Sequence, residues 1–127
     1  MKSLMFKLAA LLILIPSLVS AQQFRTQPGN LTTSASTCEG NGVTCTVIDV
    51  SGYGTVGVQI TGTWTGTLSF EETINGALWE SVTLEGITST TSNTIVSGSV
   101  AGKGRFRVRA SSSMTGTAVV ILNGVVS

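Results

Sequence analysis

Between residues 44 and 123 apolar side chains recur in short blocks, and within most blocks they alternate with polar ones. Val56, Val58 and Ile60 share one parity, with Thr55, Gly57, Gln59 and Thr61 on the other. Leu68 and Phe70 oppose Ser69 and Glu71 in the same way. A period of two puts alternate side chains on opposite faces of a strand. The blocks predict strands over 44–50, 55–61, 67–73, 78–84, 94–100, 103–110 and 117–123. Gly, Ser and Asn separate them at intervals near ten residues, and Asn75-Gly76 is a strong hairpin signal. The run Ala118 to Leu122 is apolar at every position, as in a centre strand or one buried on both faces. No segment holds a helical period over three turns. The expected fold is all-β: a single antiparallel β-sandwich or jelly-roll-like domain of 7–8 short strands.

Two segments fit this pattern poorly. Residues 62–66, around Trp64, read as a connection. In the strand after Asn75-Gly76, parity sets Trp79 against Val82, so either a β-bulge between them turns both to the core, the preferred reading, or Trp79 lies on the outer face. Residues 22–37 have no clear period and read as an extended N-terminal arm or a weak first strand, before a sandwich domain over 38–127.

The first 21 residues stand apart. Lys2 and Lys7 precede an unbroken apolar run, Leu8 to Ile15, closed by Pro16, and Val19-Ser20-Ala21 offers small residues where a signal peptidase reads. A signal peptide over 1–21, cleaved after Ala21, is expected. The apolar run is too short for a stable membrane span. Secretion, or delivery to a periplasm or cell surface, follows. Of the 7 cations, Lys2 and Lys7 leave with the leader, so the remaining 5 face 6 anions. Near-neutral charge gives no drive toward nucleic acid. In an oxidising compartment Cys38 and Cys45 are expected to form a disulfide closing a short exposed turn.

The chain has no His. That removes the commonest general base, the usual metal ligand and the Ser-His-Asp and Cys-His arrangements. Glu71 and Glu72 are neighbours, so in a strand they point apart and cannot flank one glycosidic bond. No cofactor, metal or enzymatic activity is expected. Lys103, Arg105, Arg107 and Arg109 share parity, so one strand face would carry a cationic row suited to carboxylate or phosphate oxygens. The same row could be a solvated sheet face, or could pair across strands with Glu71 or Glu85. Trp64 and Trp79 are candidate stacking platforms for a surface glycan, or ordinary core and rim residues.

The run Ile48 to Glu71, Asn75-Gly76 with Trp79, Arg105-Phe106-Arg107-Val108-Arg109 and Thr115-Gly116-Thr117-Ala118 together resemble a small β-sandwich domain recurrent in structural proteins of tailed-phage virions and in phage-derived genes. The resemblance covers about residues 44 to 123. It implies a non-catalytic virion or appendage module. The leader and the Cys38–Cys45 loop depart from that pattern and point to such a module placed on an exported protein. A structural or adhesive role with a protein partner or self-association is expected; a secreted carbohydrate-binding module is the alternative.

Overall fold

A computed structural model describes residues 24–38 and 40–126. The leader expected over 1–21 lies outside the described residues. Nine strands follow in order: β1 (Phe24–Leu31), β2 (Cys45–Asp49), β3 (Thr55–Thr65), β4 (Leu68–Thr73), β5 (Glu80–Ser81), β6 (Ser89–Thr90), β7 (Thr94–Ser99), β8 (Arg105–Ala110) and β9 (Thr115–Val125). No helix occurs among the described residues. One sheet, sheet A, runs β1-β9-β3-β7; the other, sheet B, runs β2-β8-β4-β5, with β6 also paired to β4. Every pairing is antiparallel.

The alternation seen in the sequence becomes the core. Val56, Val58 and Ile60 from β3, with Ala118, Val120 and Leu122 from β9, meet Leu68 and Phe70 from β4 and Phe106, Val108 and Ala110 from β8, all buried. The Phe70 and Phe106 rings lie 6.4 Å apart and tilted, within the range aromatic pairs favour. The apolar run in β9 is explained by its place between β1 and β3. Its outward side chains Val119 and Ile121 stay half-buried, so β9 is a centre strand covered on one face only.

Three expectations are revised. Residues 62–65 continue β3, in unbroken register with β9 from Thr55↔Val125 to Thr65↔Thr115. Their Gly and Thr composition reads as a turn because Gly62 and Gly116 take positive φ, 100° and 74°, where a Cβ would also strike the Thr117 and Thr63 carbonyls. The return strand after Asn75-Gly76 shrinks from 78–84 to Glu80–Ser81. The turn is not type I′, since Gly76 has positive φ and Asn75 does not. The Asn75 Oδ1 instead accepts the Ala77 and Leu78 amides at 2.9 and 3.0 Å, and the Gly76 amide donates to Thr73 Oγ1 at 3.0 Å. This widens the loop and places Trp79 on the outer face of sheet B, so the expected bulge is absent and only Val82 packs against the core. Last, Phe24–Leu31, within the segment expected as an arm or weak first strand, is a full edge strand paired with β9 over eight residues.

Candidate functional site

Charge is divided sharply between the two sheets. In sheet A the only charged residue is Arg25, whose guanidinium approaches Asp49 of β2 at 3.9 Å. Sheet B carries Asp49, Glu71, Glu72, Glu80, Arg105, Arg107 and Arg109. The two outer faces therefore differ in chemistry.

On sheet B, Arg105, Arg107 and Arg109 do share the outward face, since Phe106, Val108 and Ala110 fill the core. The row is not an open ladder. Arg107 is 4% exposed. Register sets Glu71 opposite Arg107, with Val47 on the other side. Arg107 Nε donates to Glu71 Oε1 at 2.8 Å, and Arg109 donates to both Glu71 oxygens, at 2.8 and 3.0 Å. The segment between β1 and β2 crosses this face as a strap: the Ala35 carbonyl accepts from Arg109 at 2.7 Å and the Cys38 carbonyl from Arg107. The expected Cys38–Cys45 disulfide is formed and ties the strap to the start of β2. Asn41 Oδ1 fixes it further by accepting the Val47 amide at 2.7 Å. Cys45 and Val47 are consequently buried on what would otherwise be a solvated face.

Trp79 closes the other side. The Arg107 guanidinium lies 4.1 Å from its ring centroid and that of Arg105 6.0 Å, so one ring face is occupied by a cation. Burial disfavours the Glu71 carboxylate, but the hydrogen bonds from Arg109 and Arg107 outweigh it and hold the carboxyl below its ordinary range. The same contact with Glu71 raises Arg109. Cross-strand pairing with Glu71, one of the readings open for the row, thus accounts for Arg107 and Arg109. Glu85 does something else: its carboxylate accepts the Ser97 amide at 2.7 Å. That amide belongs to the edge strand β7, and occupying it blunts the edge.

Lys103 precedes β8 and reaches Glu72 Oε1 at 3.5 Å. The pairing of β4 with β5 brings Glu72 opposite Glu80. Both border a cleft of about 520 Å³ with Ile74, Leu78 and Lys103. The β4–β5 register that makes this pair depends on the loop's hydrogen bonds, which carry no sequence signature at Glu80. Glu72 is engaged by Lys103 through one oxygen, and its other oxygen is buried without a hydrogen-bond partner. Among the described residues no group of three or more His, Cys, Asp or Glu could hold a metal ion, and no helix is long and apolar enough to cross a membrane. Trp64 packs against the core, and its indole N–H donates to Asn93 Oδ1 at 2.8 Å.

Sheet A presents the contrasting surface. Its outward positions include Phe24, Thr26, Pro28 and Asn30 of β1, and Val119, Ile121, Asn123 and Val125 of β9. Thr55, Gly57, Gln59 and Thr61 of β3 follow, then Ile95, Ser97 and Ser99 of β7. None is charged. One row crosses all four strands as Pro28, Ile121, Gln59 and Ile95, the last 75% exposed. Phe24 and Val125 form an exposed apolar pair at one end.

No family model matches the chain, and no curated protein matches it. Among solved structures it is similar to the SPBc2 prophage-derived protein YomS, with 16% identity and a TM-score of 0.60 over 84% of this chain and 98% of that one. A second likeness, to the tobacco streak virus coat protein dimer, has 14% identity and covers 85% and 89% of the two chains, at a TM-score of 0.31. The similarity to the prophage-derived protein is one of fold, and at that level it agrees with the all-β sandwich expected from the sequence.

Proposed function

We propose that this chain is an exported, non-catalytic structural module that docks through a sheet face, as a component of a particle, appendage or cell surface. The observation that carries the reading is the segregation of charge. Sheet B spends Arg107 and Arg109 on Glu71 and on the chain's own strap. Sheet A leaves a broad uncharged face with exposed Ile95, Phe24 and Val125. Exposed apolar side chains on an uncharged face gain by burial against a partner. The fold likeness to a prophage-derived protein supports a phage-type β domain, and the absence of His argues for a role without acid–base chemistry. The carbohydrate-binding alternative has less to draw on. Stacking needs an open aromatic face, while Trp64 packs inward and Arg107 covers one side of Trp79.

The test is to express the full chain in a bacterial host and divide the culture into soluble, particulate and envelope fractions. The expected product has an intact mass beginning at Gln22, has both cysteines oxidised and is recovered in assembled form, with particles or envelope or as an oligomer. Gln59→Lys with Ile95→Lys should move it to the soluble fraction. An unprocessed chain with free thiols in the cytosol would overturn export. Processed wild-type protein recovered wholly as a soluble monomer would overturn docking through the sheet face.

A further inference from the structure

We infer that the partner of the sheet A outer face is a second copy of this chain, packed sheet on sheet about a two-fold axis. The inference rests on the reading of the chain as a docking module and names the surface's occupant.

Charge is the first argument. A charged side chain buried against the outward face of β1, β9, β3 and β7 would find no counter-ion there, because none of the outward positions carries charge. Stranding it would cost several kcal/mol. The partner must therefore present an extended surface equally free of charge. The sheet B face does not qualify, since it displays charged groups and is crossed by the strap. A second sheet A face does, and a two-fold arrangement is the one in which the same patch serves both sides.

Area is the second argument. Strands of 8, 11, 6 and 11 residues make up the face. At ~3.3 Å per residue and ~4.8 Å between strands they span roughly 570 Å² in projection. Two copies would bury about 1,100 Å², just above the ~1,000 Å² that a specific interface needs. Two twisted antiparallel sheets pack face to face at about 30°. In that arrangement the row Pro28–Ile121–Gln59–Ile95 lies across the middle of the interface. The Gln59 side chains, whose amides can both donate and accept, are then placed to bond each other across the axis.

The experiment is sedimentation equilibrium on the purified product of the full chain, from 1 to 200 µM, in 0.05 and 0.5 M NaCl. The expected result is a monomer–dimer equilibrium that is no weaker at the higher salt, because no charges meet. Gln59→Lys with Ile95→Lys should weaken dimerisation at least 30-fold at low salt while leaving the circular-dichroism spectrum native and removing the concentration dependence of the melting temperature. Both positions are solvent-exposed, so the substitutions do not touch the core. Thr26→Lys, on the same face in β1, is a second variant expected to act in the same direction. A monomer at every concentration would overturn the inference. So would a dimer indifferent to these substitutions, a dimer that falls apart in salt, or open-ended polymers in place of a closed pair. If the wild type is monomeric yet the lysine variant still leaves the particulate fraction, the face serves a different protein. The second copy is then refuted and the docking function stands.

Discussion

Glu71 is the point at which the outer layer of sheet B can be broken with one substitution. Glu71→Gln keeps the shape and removes the charge that faces Arg107 and Arg109. Three hydrogen bonds of 2.8, 2.8 and 3.0 Å lose their charged acceptor. Bonds to charged groups contribute about 1.5–3 kcal/mol each, but their losses do not add, because Gln keeps one acceptor and both arginines keep a strap carbonyl. Breaking a buried ion pair on one side costs about 3–5 kcal/mol, and Arg107, at 4% exposure, is the group left without a counter-ion. The expected loss is about 3 kcal/mol, from a total that for a domain of this size is about 5–15 kcal/mol. At about 4–8 °C per kcal/mol the melting temperature should fall by about 12–24 °C. Urea unfolding at pH 7, followed by circular dichroism and tryptophan fluorescence together, measures it. A companion variant, Glu71→Leu with Arg107→Met and Arg109→Met, should recover most of the loss, because apolar residues of similar volume replace a buried ionic cluster at little cost. A loss below 1 kcal/mol for Glu71→Gln would refute the reasoning, since it would mean that water reaches the cluster and the strap does not exclude it.

Acid should destabilise the fold through the same residue. Glu71 and Asp49 are both held below their ordinary values of 4.5 and 3.8, Asp49 mainly by the Ser51 backbone amide. The unfolded chain therefore takes up protons first as pH falls. The stabilisation is fully present above about 4.5 and is lost as pH drops through the folded-state values; in Glu71→Gln the acid slope should begin only near 3.8, and identical profiles would sink the assignment. Replacing Cys38 and Cys45 by Ser should cost about 2.5 kcal/mol by the chain-entropy estimate for so short a ring. It should also raise hydrogen exchange at the Val47 amide that Asn41 holds; unchanged exchange there would show that the strap needs no clasp. Glu85→Ala should free the Ser97 amide on the edge strand and promote thioflavin-positive aggregates at 100 µM on gentle heating, and wild-type behaviour in the variant would remove Glu85 as an edge guard.

The parts of the fold legible in the sequence are those governed by neighbours in the chain. Val56, Val58 and Ile60, or Phe106, Val108 and Ala110, declare their face by period alone, because a strand next to a core has no other way to satisfy them. The common parity of Arg105, Arg107 and Arg109 is legible for the same reason. What covers them is not. The strap between β1 and β2 has no period, and although the Cys38–Cys45 bond that ties it is legible, it meets the arginines through backbone carbonyls, which any sequence possesses. Trp79 was displaced by a side-chain hydrogen-bonding pattern at Thr73 and Asn75 that competes with the two-residue turn usual for Asn-Gly. Residues 62–65 look like a turn because positive-φ glycines usually make turns. Here Gly62 and Gly116 lie in two strands paired across more than fifty residues, a register that only the folded sheet reveals. The uncharged face was visible as a shortage of charge, without an indication that four strands would collect it on one side.

The pairing of β1 with β9 carries one more consequence. Phe24 lies opposite Val125, so the first and last strands of the domain are hydrogen-bonded to each other and β9 fills the gap between β1 and β3. A partial chain emerging N-terminus first has no centre for this sheet until β9 arrives. Non-local closure of that kind is slow, and here it makes completion of sheet A wait for the last strand of the domain. Until β9 is in place, β1 has no hydrogen-bonded neighbour in sheet A, so the two ends of the domain become ordered together.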